Sequence, residues 1–194
     1  MGVEFELKYR ASLDALEAMA AAMGAAEQVY DMETAYYDTP DGALSRLRYT
    51  LRRRYENGVS VCTLKTPAGG AARNEWEVEA ASIEAAVPLL CKLGCPPELP
   101  QLVAPGLAHT CGAKFRRRAW TVTFRQSVLE LALDQGVLLG GGREIPLSEM
   151  EVELKTGQRE DAMAFARELA ETHGLEIEQK SKFRRALELA MEEA

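Results

Sequence analysis

The stretch EFELK at residues 4–8 decides the fold, because its residues alternate strictly between charged and apolar. The alternation runs over residues 3–10, so Phe5, Leu7 and Tyr9 share one face of a predicted strand and the charged side chains share the other. Two carboxylates and an ammonium then project from one face at intervals of about 6.5–7 Å. Taken alone, this charged face is more typical of an edge strand in contact with solvent.

A second stretch, EMEVELK at residues 149–155, repeats the pattern, with carboxylates on one face and a lysine at the end. Two such strands favour a barrel in which helices cover the apolar faces and the charged faces meet across a lumen. Carboxylates crowded together raise one another's pKa and repel unless a cation lies between them. Oxygen ligands without histidine or thiolate favour Mg²⁺ or Mn²⁺ over zinc.

Two further acidic faces fit the same interpretation. Glu75, Glu77 and Glu79 alternate with apolar residues, and so do Glu130 and Asp134. Each face is a weak signal by itself. Their repetition supports a lumen with an acidic side.

Cations are concentrated in two short segments. Arg52 and Arg54 share a strand face by their spacing of two, Arg53 is expected to face outward, and Lys65 lies on the predicted partner strand. Arginine binds phosphate oxygens through a planar fork, and lysine acts as a mobile point charge. A solvated basic face remains the alternative. The arginines at 116–118 are ambiguous, because adjacent strand residues face opposite ways.

Composition limits the function classes. The chain has 194 residues and a net charge of −7, which predicts a single domain over 1–194 and argues against nucleic acid as a partner. It has no apolar run near the roughly 18 residues of a membrane span, and it begins with an acidic strand rather than a secretory signal, so we expect a cytoplasmic protein with no membrane partner. The four cysteines form no CxxC pair and are expected to be reduced, buried thiols, with a zinc site or a disulfide as the alternatives.

The predicted elements are about eight strands, largely antiparallel, with a few helices, which is an α+β fold. We expect strands at residues 3–10, 28–38, 46–55, 59–66, 73–80, 113–125, 127–135 and 143–156. Asn57-Gly58 marks the hairpin between the third and fourth of these strands. Ser12 and Ser82 are expected to cap helices that end near Gly24 and residue 94. Residues 96–106 read as a connector, and two more helices are expected, one ending at Gly174 and one beginning near Ser181.

The ordered motifs resemble a known family. They are EFELK at 4–8, YYDTPDGAL at 36–44, LRRR at 51–54, TLK at 63–65, ELALDQG at 130–136, EVELK at 151–155 and SKFRRAL at 181–187. Together they are similar to the CYTH domain, the triphosphate tunnel metalloenzyme superfamily, and most like its bacterial inorganic triphosphatases.

The resemblance implies an eight-stranded antiparallel β-barrel tunnel with helices packed outside, and it assigns roles within that tunnel. Catalytic residues would be Glu4, Glu6, Lys8, Glu151 and Glu153. Phosphate ligands would be Lys8, Arg52, Arg54, Lys65, Arg117 and Lys182. Metal ligands would be Glu4, Glu6, Asp134, Glu151 and Glu153, with Glu75 and Glu130 in support and Arg185 in a structural role. Glu149 extends the acidic motif by one step, so the metal-binding pair could be shifted.

The expected activity is metal-dependent hydrolysis of inorganic triphosphate to phosphate and pyrophosphate, with Mg²⁺ or Mn²⁺ as cofactor and a small triphosphate as the partner molecule. A class IV-like adenylate cyclase, a thiamine triphosphatase and a domain that binds polyphosphate or nucleotide without catalysis are the alternatives. The oligomeric state stays open.

Overall fold

Within residues 2–69 and 72–192, the computed structural model contains ten strands and six helices. The strands are β1 (Gly2–Glu4), β2 (Glu6–Arg10), β3 (Gln28–Asp38), β4 (Thr50–Glu56), β5 (Val59–Pro67), β6 (Arg73–Glu79), β7 (Ala108–Phe124), β8 (Ser127–Gly140), β9 (Arg143–Thr156) and β10 (Glu176–Ile177). The helices are α1 (Leu13–Met23), α2 (Ala43–Arg46), α3 (Ile83–Lys92), α4 (Leu99–Leu102), α5 (Arg159–His173) and α6 (Lys182–Met191).

The strands form one antiparallel sheet in the order β1-β6-β5-β4-β3-β7-β8-β9-β2-β10. The predicted first strand is broken at Phe5, because β1 pairs with β6 whereas β2 pairs with β9. Since β1 and β2 are successive segments of the chain, the sheet returns to its own beginning and encloses a lumen. This confirms the α+β class and the barrel-like antiparallel tunnel; the broken first strand and the short β10 raise the strand count above eight.

Alternation along the strands places the apolar side chains under the outer helices. Leu16 of α1 and Ala162 of α5 pack on Leu131 and Val152 in one core. A second core forms where α3 packs on Leu51 of β4, Leu64 of β5 and Trp76 of β6. The serine caps follow expectation, since Ser12, Ser82 and Ser181 each accept a hydrogen bond from the amide three residues later.

Helix α6 lies differently from the other helices. It packs through Ala186 on Met32, Phe115 and Leu138, and Phe115 lies on the same strand face as Arg117. The first turn of α6 therefore reaches the inner side of the sheet and covers one end of the lumen.

The predicted strand over 46–55 begins only at Thr50. The preceding residues turn because the Asp38 carboxylate accepts hydrogen bonds from the Leu44 and Ser45 amides at 2.9 and 3.0 Å. Arg48 then adopts a positive φ of 59°. Strands β7 and β8 are longer than predicted, by residues 108–112 and 136–140, because the inner side becomes apolar beneath α6 and the charge alternation stops there.

The remaining expectations concern the connector and the cysteines. Residues 96–106 contain the short helix α4. All four cysteines are free thiols; three are buried as expected, whereas Cys91 is half-buried. The Cys91 and Cys95 sulfurs are 3.5 Å apart. In the described part of the chain, no helix has the length and apolarity needed to cross a membrane.

Candidate functional site

The acidic strands meet on the inner side of the barrel. Glu6 is the register partner of Glu153, and Lys8 is the partner of Glu151. On the other side of β9, Glu153 pairs with Glu130. The two repeated sequence motifs are therefore neighbouring strands, and their charged faces form one continuous surface.

One group of acids lies deep in the lumen, and a cation lies between its members. Oxygen atoms of Asp134, Glu149 and Glu151 lie within 4.8 Å of one another, and all three residues are buried. The Lys182 Nζ is 2.7 Å from both an Asp134 and a Glu151 oxygen and also contacts Glu149. We call Asp134, Glu149, Glu151 and Lys182 the deep cluster. Its central position is occupied by an ammonium of the protein itself.

Two arginines also contact the acids of the deep cluster. Arg117 donates two hydrogen bonds of 2.7 Å to Asp134 and contacts Glu151. Arg185 contacts Glu149. Burial raises the pKa of Glu151, but Lys182 and Arg117 outweigh it and hold that pKa well below the usual range.

The neighbours of Arg117 point away from the lumen. Arg116 pairs with Asp31 at 2.8 Å, and Arg118 pairs with Glu17 at 2.9 Å, both on the outside of the sheet. Among the arginines at 116–118, therefore, Arg117 is the one on the inner side.

A second group of acids lies on the inner side of the barrel, around Glu4 at the end of β1. We call Glu4, Glu6, Glu75, Glu130 and Glu153 the outer acidic group.

Lysines partly neutralise this group. Lys65 donates to Glu4 at 2.6 and 2.7 Å, and Lys8 donates to Glu6 at 2.6 Å. Lys155 reaches Glu153 at 2.8 Å and Glu130 at 3.4 Å.

The pKa values show which acids stay poorly compensated. Burial and the nearby Glu6 raise the pKa of Glu4, although Lys65 lies beside it. Burial likewise raises the pKa of Glu153 despite Lys155. Burial and Glu151 also act to raise the pKa of Glu6, but Lys8 and Lys65 bring it below the usual value. Glu4 and Glu153 are therefore acids for which a further cation would be favourable.

The inner face of β4 carries Arg52 and Arg54, which we call the cationic wall, and few carboxylates lie close to it. The closest acid to Arg52 is Glu75, with a nitrogen–oxygen distance of 3.8 Å, and the buried Arg52 Nε has no hydrogen-bond acceptor among the described residues. Arg54 donates to the Thr34 hydroxyl at 3.0 Å and approaches Glu56 only to 3.5 Å. Burial, Arg52 and Arg117 lower the pKa of Arg54 to about 10.

Arg53 lies on the opposite face of β4 from this wall. It is 3.4 Å from the Ala81 carbonyl and lies over the Tyr55 ring at 5.1 Å. The two-residue period of the strand thus puts Arg52 and Arg54 on the inner side together.

Reasoning from the sequence did not identify Phe115 as an inner residue, and it did not place Glu149 among the acids around Lys182. Phe115 is buried on the inner side, with three cations within 6 Å of its ring centre. The spacing of two between Phe115 and Arg117 places both residues on one strand face and could have identified Phe115. It was not used because the lumen was expected to be polar.

The donor set fits a hard divalent cation. The inner side offers carboxylate oxygens from several strands, and within residues 2–69 and 72–192 no histidine or cysteine belongs to either acidic group. Oxygen-only sites are typical of Mg²⁺ and Mn²⁺. Opposite these acids stand buried guanidinium groups, so the lumen can hold a polyanion and a cation together.

Comparisons with known proteins agree with this architecture. The chain is 34% identical over 154 residues to an inorganic triphosphatase of Haemophilus influenzae, which covers 77% of this chain and 43% of that protein. The chain thus spans less than half the length of this curated relative.

Solved structures share the fold at low identity. A putative adenylate cyclase from Bacillus halodurans gives a TM-score of 0.64 at 18% identity, over 95% of this chain and 98% of that one. A putative adenylyl cyclase from Hippeastrum, described as having a dominant triphosphatase activity, gives 0.63 at 18% identity, over 94% and 93%. A family model, the CYTH domain, matches residues 2–187. With that match across the barrel and the first turns of α6, the chain belongs to the CYTH family.

Proposed function

We propose that this chain hydrolyses inorganic triphosphate to phosphate and pyrophosphate inside the lumen, with the help of a divalent metal ion. The observation that carries the proposal is the charge deficit on β4. Arg54 is buried and the Arg52 side chain is 12% exposed, and their closest carboxylates stand off at 3.5 Å from Arg54 and 3.8 Å from Arg52. Both arginines face an acidic wall. A bound polyanion with its counter-cation satisfies both walls at once.

The phosphate ligands would come from three sides of the lumen. Arg52 and Arg54 on β4 supply planar forks for phosphoryl oxygens, and Lys65 and Lys8 supply mobile ammonium groups. Arg117 and Lys182 already hold carboxylates of the deep cluster. We assign them a secondary part, in which they neutralise the carboxylates at the inner end of the lumen.

The metal ligands would be Glu4, Glu6 and Glu153 of the outer acidic group, supported by Glu75 and Glu130. We assign Asp134 and Glu151 to the cations of the deep cluster, because Lys182 occupies the space between them. When bound, Mg²⁺ or Mn²⁺ supplies neutralisation of phosphoryl oxygens and a lowered pKa of coordinated water.

The lysines of the outer acidic group link the two binding events. Lys65 is 2.6 Å from a Glu4 oxygen, and Lys8 is 2.6 Å from a Glu6 oxygen. A phosphate oxygen that takes one of these ammonium groups leaves its carboxylate free for the cation. Substrate and metal binding therefore support each other.

The residues would promote hydrolysis by positioning and electrostatics. Water attacks the terminal phosphorus in line with the departing pyrophosphate, whose growing charge the guanidinium groups of β4 stabilise. Holding the chain in that line supplies much of the rate. No side chain needs to form a covalent intermediate.

A substrate panel tests the proposal. Purified protein is assayed for phosphate release from tripolyphosphate, ATP and thiamine triphosphate with Mg²⁺, with Mn²⁺ and with chelator. We expect tripolyphosphate to be the best substrate and chelator to abolish turnover. Equal activity in chelator and in Mg²⁺ contradicts the metal assignment.

Other outcomes would assign a different function. Cyclic AMP from ATP indicates a cyclase, and preferential cleavage of thiamine triphosphate indicates a thiamine triphosphatase. Tight binding of tripolyphosphate without turnover under any metal indicates a binding domain.

A further inference from the structure

Three cations surround the ring of Phe115. The ring centre is 5.1 Å from Lys182 Nζ, 5.7 Å from the guanidinium carbon of Arg54 and 5.9 Å from that of Arg117. Cations within about 6 Å of an aromatic ring are attracted by its negative face, more strongly when water is excluded. The ring itself is 5% exposed. Three like charges thus converge on one aromatic group in a buried part of the lumen.

The three cations depend on the ring to different degrees. Arg117 and Lys182 both have carboxylates within 2.7 Å. Arg54 has the Thr34 hydroxyl at 3.0 Å and reaches Glu56 only at 3.5 Å. The ring of Phe115 is therefore a main source of compensation for Arg54, which of these three cations has its nearest carboxylate furthest away.

The ring is held in place by its neighbours on both sides. Phe115 pairs with Met32 on β3 and with Gly136 on β8. A side chain at Gly136 would clash with the Lys114 carbonyl oxygen and would lie 2.7 Å from the Phe115 Cβ. The glycine therefore allows the backbone of β8 to lie directly against Phe115, and α6 closes the space through Ala186.

We propose that Phe115 is a positioning residue of the phosphate site, whose ring holds the guanidinium of Arg54 toward the lumen. The substrate does not have to touch the ring. Phe115 acts through Arg54, and it keeps a region of like charge together without adding a carboxylate that would compete with phosphate. This inference rests on the proposed function, because it takes Arg54 as a phosphate ligand.

The test is the affinity of the Phe115→Leu variant for tripolyphosphate. Titration calorimetry in chelator measures binding without turnover. We expect the dissociation constant to rise by about three- to tenfold, the fold-change that corresponds to one lost cation–π contact. In the metal-containing assay, KM should rise more than kcat falls. Phe115→Tyr keeps the ring and should keep affinity near wild type.

A matched control separates positioning from packing. Leu138 lies in the same core and is fully buried. Leu138→Ala should lower the melting temperature while leaving the dissociation constant unchanged. If Phe115→Leu does not fold, Phe115→Met fills the space without an aromatic face and takes its place.

The outcomes are distinguishable. Wild-type affinity in Phe115→Leu, or an equal loss of affinity in Leu138→Ala, overturns the role of Phe115 and leaves the proposed function standing. Binding of tripolyphosphate without hydrolysis under any metal overturns the proposed function. A selective loss of affinity in Phe115→Leu would then still support the positioning role.

Discussion

Removing the ammonium of Lys182 should destabilise the fold strongly. The side chain is 6% exposed and pairs with Asp134, Glu149 and Glu151, each 8% exposed or less. Breaking a buried ion pair from one side costs about 3–5 kcal/mol, because the partner charge stays buried. Arg117 and Arg185 still contact these acids, so for Lys182→Met we expect about 3 kcal/mol. In a domain of this size that corresponds to a melting temperature about 10 °C lower.

The deficit should depend on pH in a definite direction. In the wild type, Lys182 and Arg117 lower the folded pKa of Glu151 below 4.5, so this carboxylate contributes stability above pH 4.5 that is lost as the pH falls through the folded pKa. Without Lys182, burial dominates and the folded pKa values of Glu149 and Glu151 rise. The variant then gains stability, relative to the wild type, as the pH falls from 8 towards 4.5.

Thermal unfolding at several pH values checks this prediction. Lys180→Met is the matched control, since Lys180 forms an exposed pair with Glu188 at 2.8 Å. The control should change stability by less than about 1 kcal/mol. A Lys182→Met deficit no larger than that of the control, or one that grows towards low pH, would refute the reasoning about the deep cluster.

Three further predictions concern other sites. Arg52→Ala should raise KM for tripolyphosphate about tenfold or more, as expected for a lost charge-assisted hydrogen bond. In steady-state kinetics, Arg52→Lys should restore little of the loss and Arg53→Ala should change KM little. A larger rise in KM for Arg53→Ala than for Arg52→Ala would contradict the placement of Arg52 on the inner face of β4. Glu153→Gln should abolish turnover yet raise the melting temperature at pH 7, because burial raises the folded pKa of Glu153 above its usual value and the charged carboxylate destabilises the fold. The gain should shrink as the pH falls through that raised pKa and should be gone below the usual pKa of a glutamate; a variant less stable than wild type at pH 7 would show that Glu153 forms a structural pair. Cys95 should resist alkylation at pH 8 in the folded protein, because burial and Cys91 raise its pKa to about 12; labelling as fast as in denaturant would exclude this.

The strand faces were predictable where charged and apolar residues alternate. EFELK and EVELK assign inner and outer faces correctly, because a carboxylate in the charged lumen and a leucine packed beneath a helix cannot exchange faces without large cost. The same rule places Arg52 and Arg54 together. It could not show that Glu6 lies beside Glu153, since strand pairing over long distances leaves no local signal.

The rule failed where the lumen itself becomes apolar. Phe115 and Leu138 face inward beneath α6, so the ends of β7 and β8 carry no charge alternation. The turn before β4 was also missed, because it depends on the Asp38 carboxylate binding the Leu44 and Ser45 amides. The partners of Lys182 required the full fold, since α6 is remote in sequence from all three acids.

The broken first strand also bears on how the molecule folds. Pairing of β7 with β8 and of β8 with β9 joins neighbours through tight turns, whereas β2 finds β9 only after most of the chain has been ordered. Closing such a long loop loses chain entropy before its contacts compensate. We expect the seam at β1 and β2 to form after the rate-limiting step, so that Leu7→Ala chiefly speeds unfolding, while Leu131→Ala in the central hairpin slows folding.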